Sequence, residues 1–213
     1  MLDMIPQLMI LFFSIIFHEV AHGRTALWRG DTTARDYGRL TLNPLPHIDP
    51  IGSIVLPLLL VLSRSPVLFG WAKPVPINPY RFQRMKKDLA LVGAAGPASN
   101  LLLAALFSVF FRISVWVGDS TGVVPKVMAY GVVINLVLAF FNLIPIPPLD
   151  GSRILLRFLP DHLADRYMRI ERYGFILIFF LLMLNMFDWL IWPFVYQLLR
   201  ILIGHQGLYF LTD

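Results

Sequence analysis

Apolar residues in this chain gather into long runs, and polar and helix-breaking residues fall into short segments between them. Residues 5–29 read as one helix, with Pro6 tolerated in the first turn and Gly30 offering a stop before Asp31. Residues 35–50 hold Gly38, Asn43, Pro44, Pro46 and Pro50. These are too many breakers for a helix, so the stretch is expected to be extended or turning, with a short strand over 37–42. Residues 51–63 are strongly apolar, but the run is short and contains Pro57, which suits either a re-entrant helix or a thin span. Residues 65–79 carry Pro66, Gly70, Pro74, Pro76 and Pro79 and predict an interfacial loop or edge strand, followed by the basic cluster Arg81, Arg84, Lys86 and Lys87.

The second half repeats the pattern with longer runs. Residues 89–117 predict a spanning helix, and Gly93-Ala94-Ala95-Gly96 near its start gives a small-residue surface for close helix packing. A polar turn over 118–122 leads into 123–143, which returns across the bilayer and ends where Pro145, Pro147 and Pro148 forbid regular helix. Residues 152–172 alternate charges and predict a partly helical connection. Residues 173–203 are apolar again, interrupted by Asp188 and Pro193, and read as one kinked helix or two shorter ones. The expected fold is therefore an all-α polytopic membrane bundle with short interfacial strands or a re-entrant segment, forming one integral domain over residues 1–213.

Composition agrees with a bilayer as solvent: 57% of the 213 residues are hydrophobic and the mean hydropathy is +0.70. The net charge of +5 does not point to nucleic acid, because the basic residues sit in segments between apolar runs, where cationic loops set membrane orientation. The run over 4–17 lacks the basic flank of a secretory signal and continues into His18, so it reads as a retained helix. With no cysteine in the chain, any metal must be held by nitrogen and oxygen.

The candidate chemistry lies in the first run, as His18-Glu19-Val20-Ala21-His22. On a helix, histidines four apart share one face and can hold a single ion, while Glu19 projects about 100° further round, where it can take a proton from metal-bound water. Ionisable groups inside a spanning helix each carry a penalty of order 2.5–3.5 kcal/mol on insertion scales, and three within five residues call for a partner such as Zn²⁺. A catalytic zinc takes three protein ligands and one open position. Asp150, in a Pro-Leu-Asp-Gly turn at the end of a spanning run, is the candidate third ligand, with Asp188 its competitor. His47 is placed either near the metal or in a hydrogen-bonded loop, and His162 and His205 read as surface histidines. A membrane metal transporter or sensor using the same ligands is the rival to an enzyme.

With these residues in view, the chain resembles the site-2 protease family of intramembrane zinc metalloproteases. The resemblance is carried by the histidine motif, by Gly96-Pro97-Ala98-Ser99-Asn100 and by Asn142 through Gly151, and it covers roughly residues 8–180. It implies that His18, His22 and Asp150 bind Zn²⁺, that Glu19 is the general base, and that Asn142 binds the substrate carbonyl or its oxyanion. It implies a transmembrane protein as substrate and a compact form without a PDZ module or an extra N-terminal helix. The active site is expected nearer the cytoplasmic face of a cell inner membrane, on the evidence of topology and charge. For Asp150 to meet the histidines, the C-terminal ends of the runs 5–29 and 123–143 must lie on one side, beside the arginines at 24, 29, 35 and 39 and at 153–172, and 51–63 must dip in and return.

Overall fold

The computed structural model describes residues 4–63, 71–119 and 122–212. Among the described residues, three helices are long and apolar enough to cross a membrane: α1 (Met4–Trp28), α4 (Met85–Trp116) and α5 (Val123–Asn142). Their 25, 32 and 20 residues, at about 1.5 Å each, match or exceed a bilayer core of roughly 30 Å. Each starts and stops within a few residues of its apolar run. Pro97 lies inside α4 and Pro125 in the first turn of α5. The side chains that α4 turns outward, Leu102, Leu106, Val109, Phe110 and Ile113, are large, apolar and exposed, as a lipid-facing surface requires.

The three helices pack together, α4 between the other two, and α10 (Trp192–Thr212) closes the far side of α4 and α5. Small residues permit the approach. Ala104, Ala129 and Ala139 are fully buried, and a side chain at Gly131 would run into the Phe107 ring.

Between α1 and α4 the chain makes an out-and-back excursion. It leaves α1 at Arg29 and returns at Asp88, and these two form a clasp with the guanidinium 2.6 Å from the carboxylate. Within it lie the single turn α2 (Thr33–Asp36) and a 13-residue apolar helix, Pro50–Leu62, whose first six residues are π-helical and whose remainder is α3 (Leu56–Leu62). The Trp71 N–H donates to the Gly52 carbonyl at 3.1 Å and Ser53 Oγ donates to the Trp71 carbonyl at 2.8 Å. The chain that sets out along this helix is thus back beside its start by Trp71.

The expected strands do not form: no strand occurs among the described residues. Over 37–42 the reason is local. Gly38, at φ +65°, caps α2, and the N–H groups of Gly38 and Arg39 bond back to Arg35 and Ala34, which closes a Schellman motif where a strand was expected. Over 71–78 the backbone has no regular secondary structure and forms no ladder. Pro74 and Pro76 have no N–H, and the donors of Lys73, Val75 and Asn78 go to the His47 carbonyl, Glu19 and Asp31. Pro66 and Gly70 of the expected loop lie outside the described residues.

After α5 come α6 (Asp150–Leu156), α7 (Asp161–Met168) and a short 3₁₀ turn. The last apolar region is then broken more often than expected, into α8 (Gly174–Met183), α9 (Met186–Leu190) and α10. Asn185, at φ 51°, separates the first two. Pro193 falls in the first turn of α10, where it starts a helix rather than kinking one. A further break at Gly204 leaves carbonyls open at Ile201 and Leu202, and the Arg112 guanidinium donates to both, at 2.9 and 2.8 Å.

Candidate metal centre

His18 and His22 lie one turn apart on the inner face of α1, with their Nε2 atoms 2.9 Å from each other. Asp150 arrives from 128 residues further along, at the N-terminal end of α6. Its Oδ2 is 3.1 Å from each Nε2. All three residues are buried, at 6, 3 and 5% exposure. The aspartate is aimed by the turn before it. Leu149 N–H bonds back to the Ile146 carbonyl, Ser152 Oγ to the Leu149 carbonyl, and Gly151 sits so close to the Leu143 carbonyl that a side chain there would meet it at 2.2 Å. Arg153 Nη1, at 3.3 Å, takes the carboxylate oxygen that faces away from the histidines.

Among the described residues this is the group able to hold a metal ion. A tetrahedral Zn²⁺ with bonds of about 2.0–2.2 Å keeps its ligand atoms roughly 3.3 Å apart. The observed spacings are a few tenths of an ångström tighter, a difference that a slight opening of the three side chains supplies. The donor set also fits. His18 Nδ1 lies 2.5 Å from Asn100 Oδ1, and His22 Nδ1 lies 2.6 Å from the Val92 carbonyl. Both partners are acceptors, so each ring donates through Nδ1–H and presents a lone pair on Nε2 to the centre, the usual arrangement for metal-bound histidine. Room for both rings comes from Gly96, where a Cβ would fall 2.4 Å from His22 Nε2 and 2.5 Å from His18 Nε2.

Glu19 stands beside the centre, half-buried, with Oε2 accepting from the Val75 N–H at 2.8 Å. The strip 71–78 is therefore tied to the carboxylate next to the histidines. Asn142, at the end of α5, is not drawn into the cluster, and its amide donates to the Leu138 carbonyl one turn back at 2.9 Å. His47 is fully buried in the excursion, with Nε2 against the Thr41 carbonyl at 2.9 Å, and it is not in the metal-holding group. His162 and His205 are exposed. The side chain of Asp188 lies outside those described.

Sequence reasoning missed the supports of the two imidazoles. Val92 acts through its backbone and leaves no trace in the sequence. Asn100 and Gly96 lie in a segment that resemblance singled out, but nothing there assigned either a role.

The family model for peptidase family M50 matches residues 113–185, from the end of α4 to just beyond α8, and includes Asp150 and Asn142. YwhC of Bacillus subtilis, named as a zinc metalloprotease, is 39% identical over 201 residues, covering 90% of this chain and 87% of its own. Rip2 of Mycolicibacterium smegmatis, named likewise, is 32% identical over 79% of this chain and 63% of its own. MJ0611 of Methanocaldococcus jannaschii, also so named, is 28% identical over 66% of this chain and 63% of its own. No solved structure matches the chain.

Proposed function

Because the chain belongs to peptidase family M50, the site-2 protease family, we propose that it is an integral-membrane zinc metalloprotease hydrolysing peptide bonds in or beside transmembrane segments of other membrane proteins. The observation that carries this reading is the convergence of two Nε2 atoms and one carboxylate oxygen within 3.1 Å, with a second carboxylate one residue away. His18, His22 and Asp150 would hold one Zn²⁺. Bound there, the ion lowers the pKa of a coordinated water towards about 7 and polarises the scissile carbonyl.

The chain's own residues do the rest. Glu19 takes the proton from the attacking water and delivers it to the leaving nitrogen. Its tie to Val75 keeps one oxygen occupied and leaves the other for that exchange. Asn142 spends one of two amide hydrogens on Leu138, and the second remains for a substrate carbonyl. A helical substrate hides its carbonyls, so it must be unwound locally. The strip 75–78, which forms no helix and is joined to Glu19, is where an opened segment would lie; 37–42, closed into a turn after α2, offers no such edge.

His22 of α1, Val92 and Gly96 of α4 and Asp150, just beyond α5, meet at the site, and the basic residues flanking these helix ends support an active site towards the cytoplasmic face of a cell inner membrane. The test uses purified full-length protein and a helical membrane substrate. Cleavage is expected to stop on chelation and return with zinc, and Glu19→Gln is expected to retain stoichiometric zinc while losing about 10²–10⁴-fold in rate. Wild-type cleavage by Glu19→Gln would remove the proposed base, and ion flux through proteoliposomes in place of cleavage would favour a transporter.

A further inference from the structure

One ridge of α4 carries Val92, Gly96 and Asn100, each four residues apart and all buried against α1. The middle one is the seat of the two imidazoles, and the outer two each accept from one ring. His22 relies on a backbone carbonyl that cannot turn. His18 relies on a side-chain amide, which by itself could present either its oxygen or its nitrogen.

What decides the orientation is a chain of contacts running away from the centre. Asn100 Nδ2 donates to Asn135 Oδ1 at 2.9 Å and approaches the Ser14 carbonyl at 3.4 Å. Asn135 Nδ2 donates to the Gly131 carbonyl and to Ser14 Oγ, both at 2.9 Å. The Gly131 and Ser14 carbonyls can only accept. The first forces the Asn135 nitrogen towards itself and the oxygen towards Asn100. Together with the second it turns the Asn100 nitrogen away from the metal centre and the oxygen onto His18 Nδ1. An acceptor at that point requires a proton on Nδ1 and leaves Nε2 unprotonated. Asn100 and Asn135 are fully buried, as is Ser14, so water offers no alternative partners.

We propose that Asn100, oriented by Asn135 and Ser14, is a positioning residue that fixes the tautomer and plane of His18, so that Nε2 is the atom presented to the metal. The proposal rests on the zinc reading above, and it assigns Asn100 no contact with substrate.

The experiment measures zinc affinity of the detergent-solubilised full chain by competition with a chromophoric chelator, for wild type, Asn100→Ala and Asn100→Asp. Outer partners of metal-bound histidines typically contribute 10–100-fold in affinity, so Asn100→Ala is expected to bind about 10–100-fold more weakly. Asn100→Asp keeps an acceptor facing Nδ1 but turns its second oxygen on the Asn135 acceptor, so it is expected to recover only part of that loss. Equal affinity in Asn100→Ala overturns the positioning role and leaves the zinc site standing. A wild type that binds no zinc overturns the zinc site itself. Since Asn100→Ala can lose packing as well, the zinc-loaded wild type supplies a second readout through ¹⁵N-labelled histidine. His18 is expected to show an exchange-protected Nδ1–H with Nε2 on the metal, and ligation through Nδ1 overturns the proposal without any variant.

Discussion

Asn135 and Leu136 are neighbours on α5, both wholly buried, and they enter two different interiors. Asn135 joins the polar seam between α1, α4 and α5, with Ser14, His18, His22 and Asn100. Leu136 joins the apolar cluster shared with α10, among Val132, Val195 and Leu199. The same helices thus carry a lining that lipid would tolerate on one face and a lining it would penalise on the other. Helices in a bilayer gain little by trading lipid tails for leucines, and association rests on close packing and interhelical hydrogen bonds. The apolar cluster does that packing with small residues. The polar seam adds a demand for complete pairing, because a donor or acceptor left alone there has no water to turn to. The seam is consistent with a requirement set by the metal centre rather than by stability.

Three substitutions probe that division. Leu136→Ala removes core volume at a site with no polar partner. It is expected to lower resistance to unfolding by about 2–5 kcal/mol, with zinc affinity of the folded protein unchanged; a matching fall in zinc affinity would merge the two interiors into one. Gly96→Ala separates propensity from fit. Alanine is favoured over glycine in a helix by about 1 kcal/mol, yet the added Cβ meets both imidazoles at 2.4–2.5 Å. A displacement of about 1 Å at reacting groups can lower a rate on the order of 10²-fold, and a loss of that size in cleavage is expected while helicity is kept. Ser14→Ala lies at the end of the seam and deletes one interhelical hydrogen bond. Such bonds average about 0.6 kcal/mol in membranes, so thermal unfolding should shift slightly and zinc binding weaken less than in Asn100→Ala.

The sequence made the long helices legible, because a run of apolar residues bounded by prolines, glycines and charges has few other solutions in a bilayer. It also made the meeting of His18, His22 and Asp150 legible. The first two are fixed by helical periodicity, and the third sits in a turn too rich in prolines to continue α5. Three kinds of information stayed hidden. The stretch 65–79 reads equally as loop or edge strand, and which of them forms depends on where each N–H points; those of Val75 and Asn78 point to carboxylates. The second histidine's support is a main-chain oxygen, which no side chain advertises. Asn100, Asn135 and Ser14 did leave a signal that went unread, since Ser14, His18 and His22 recur every four residues on an otherwise apolar helix. Polar groups so spaced mark one inward face.

The clasp between Arg29 and Asp88, 59 positions apart, closes the chain between them into a ring. Ring closure depends on length only logarithmically, each doubling adding about 0.6 kcal/mol of lost chain entropy. What must hold still inside that ring is small: Asp31, the strip that touches Glu19, and the few residues pinning it. Leu40 packs beside Gly23, and the Thr41 carbonyl holds His47, whose own carbonyl holds Lys73 of the strip, so that part of the excursion is pinned as well. Leu42 to Leu45 are exposed, and extra length there would be absorbed as slack, so the excursion can be remodelled in size at that point while the metal-holding end of the bundle keeps its shape.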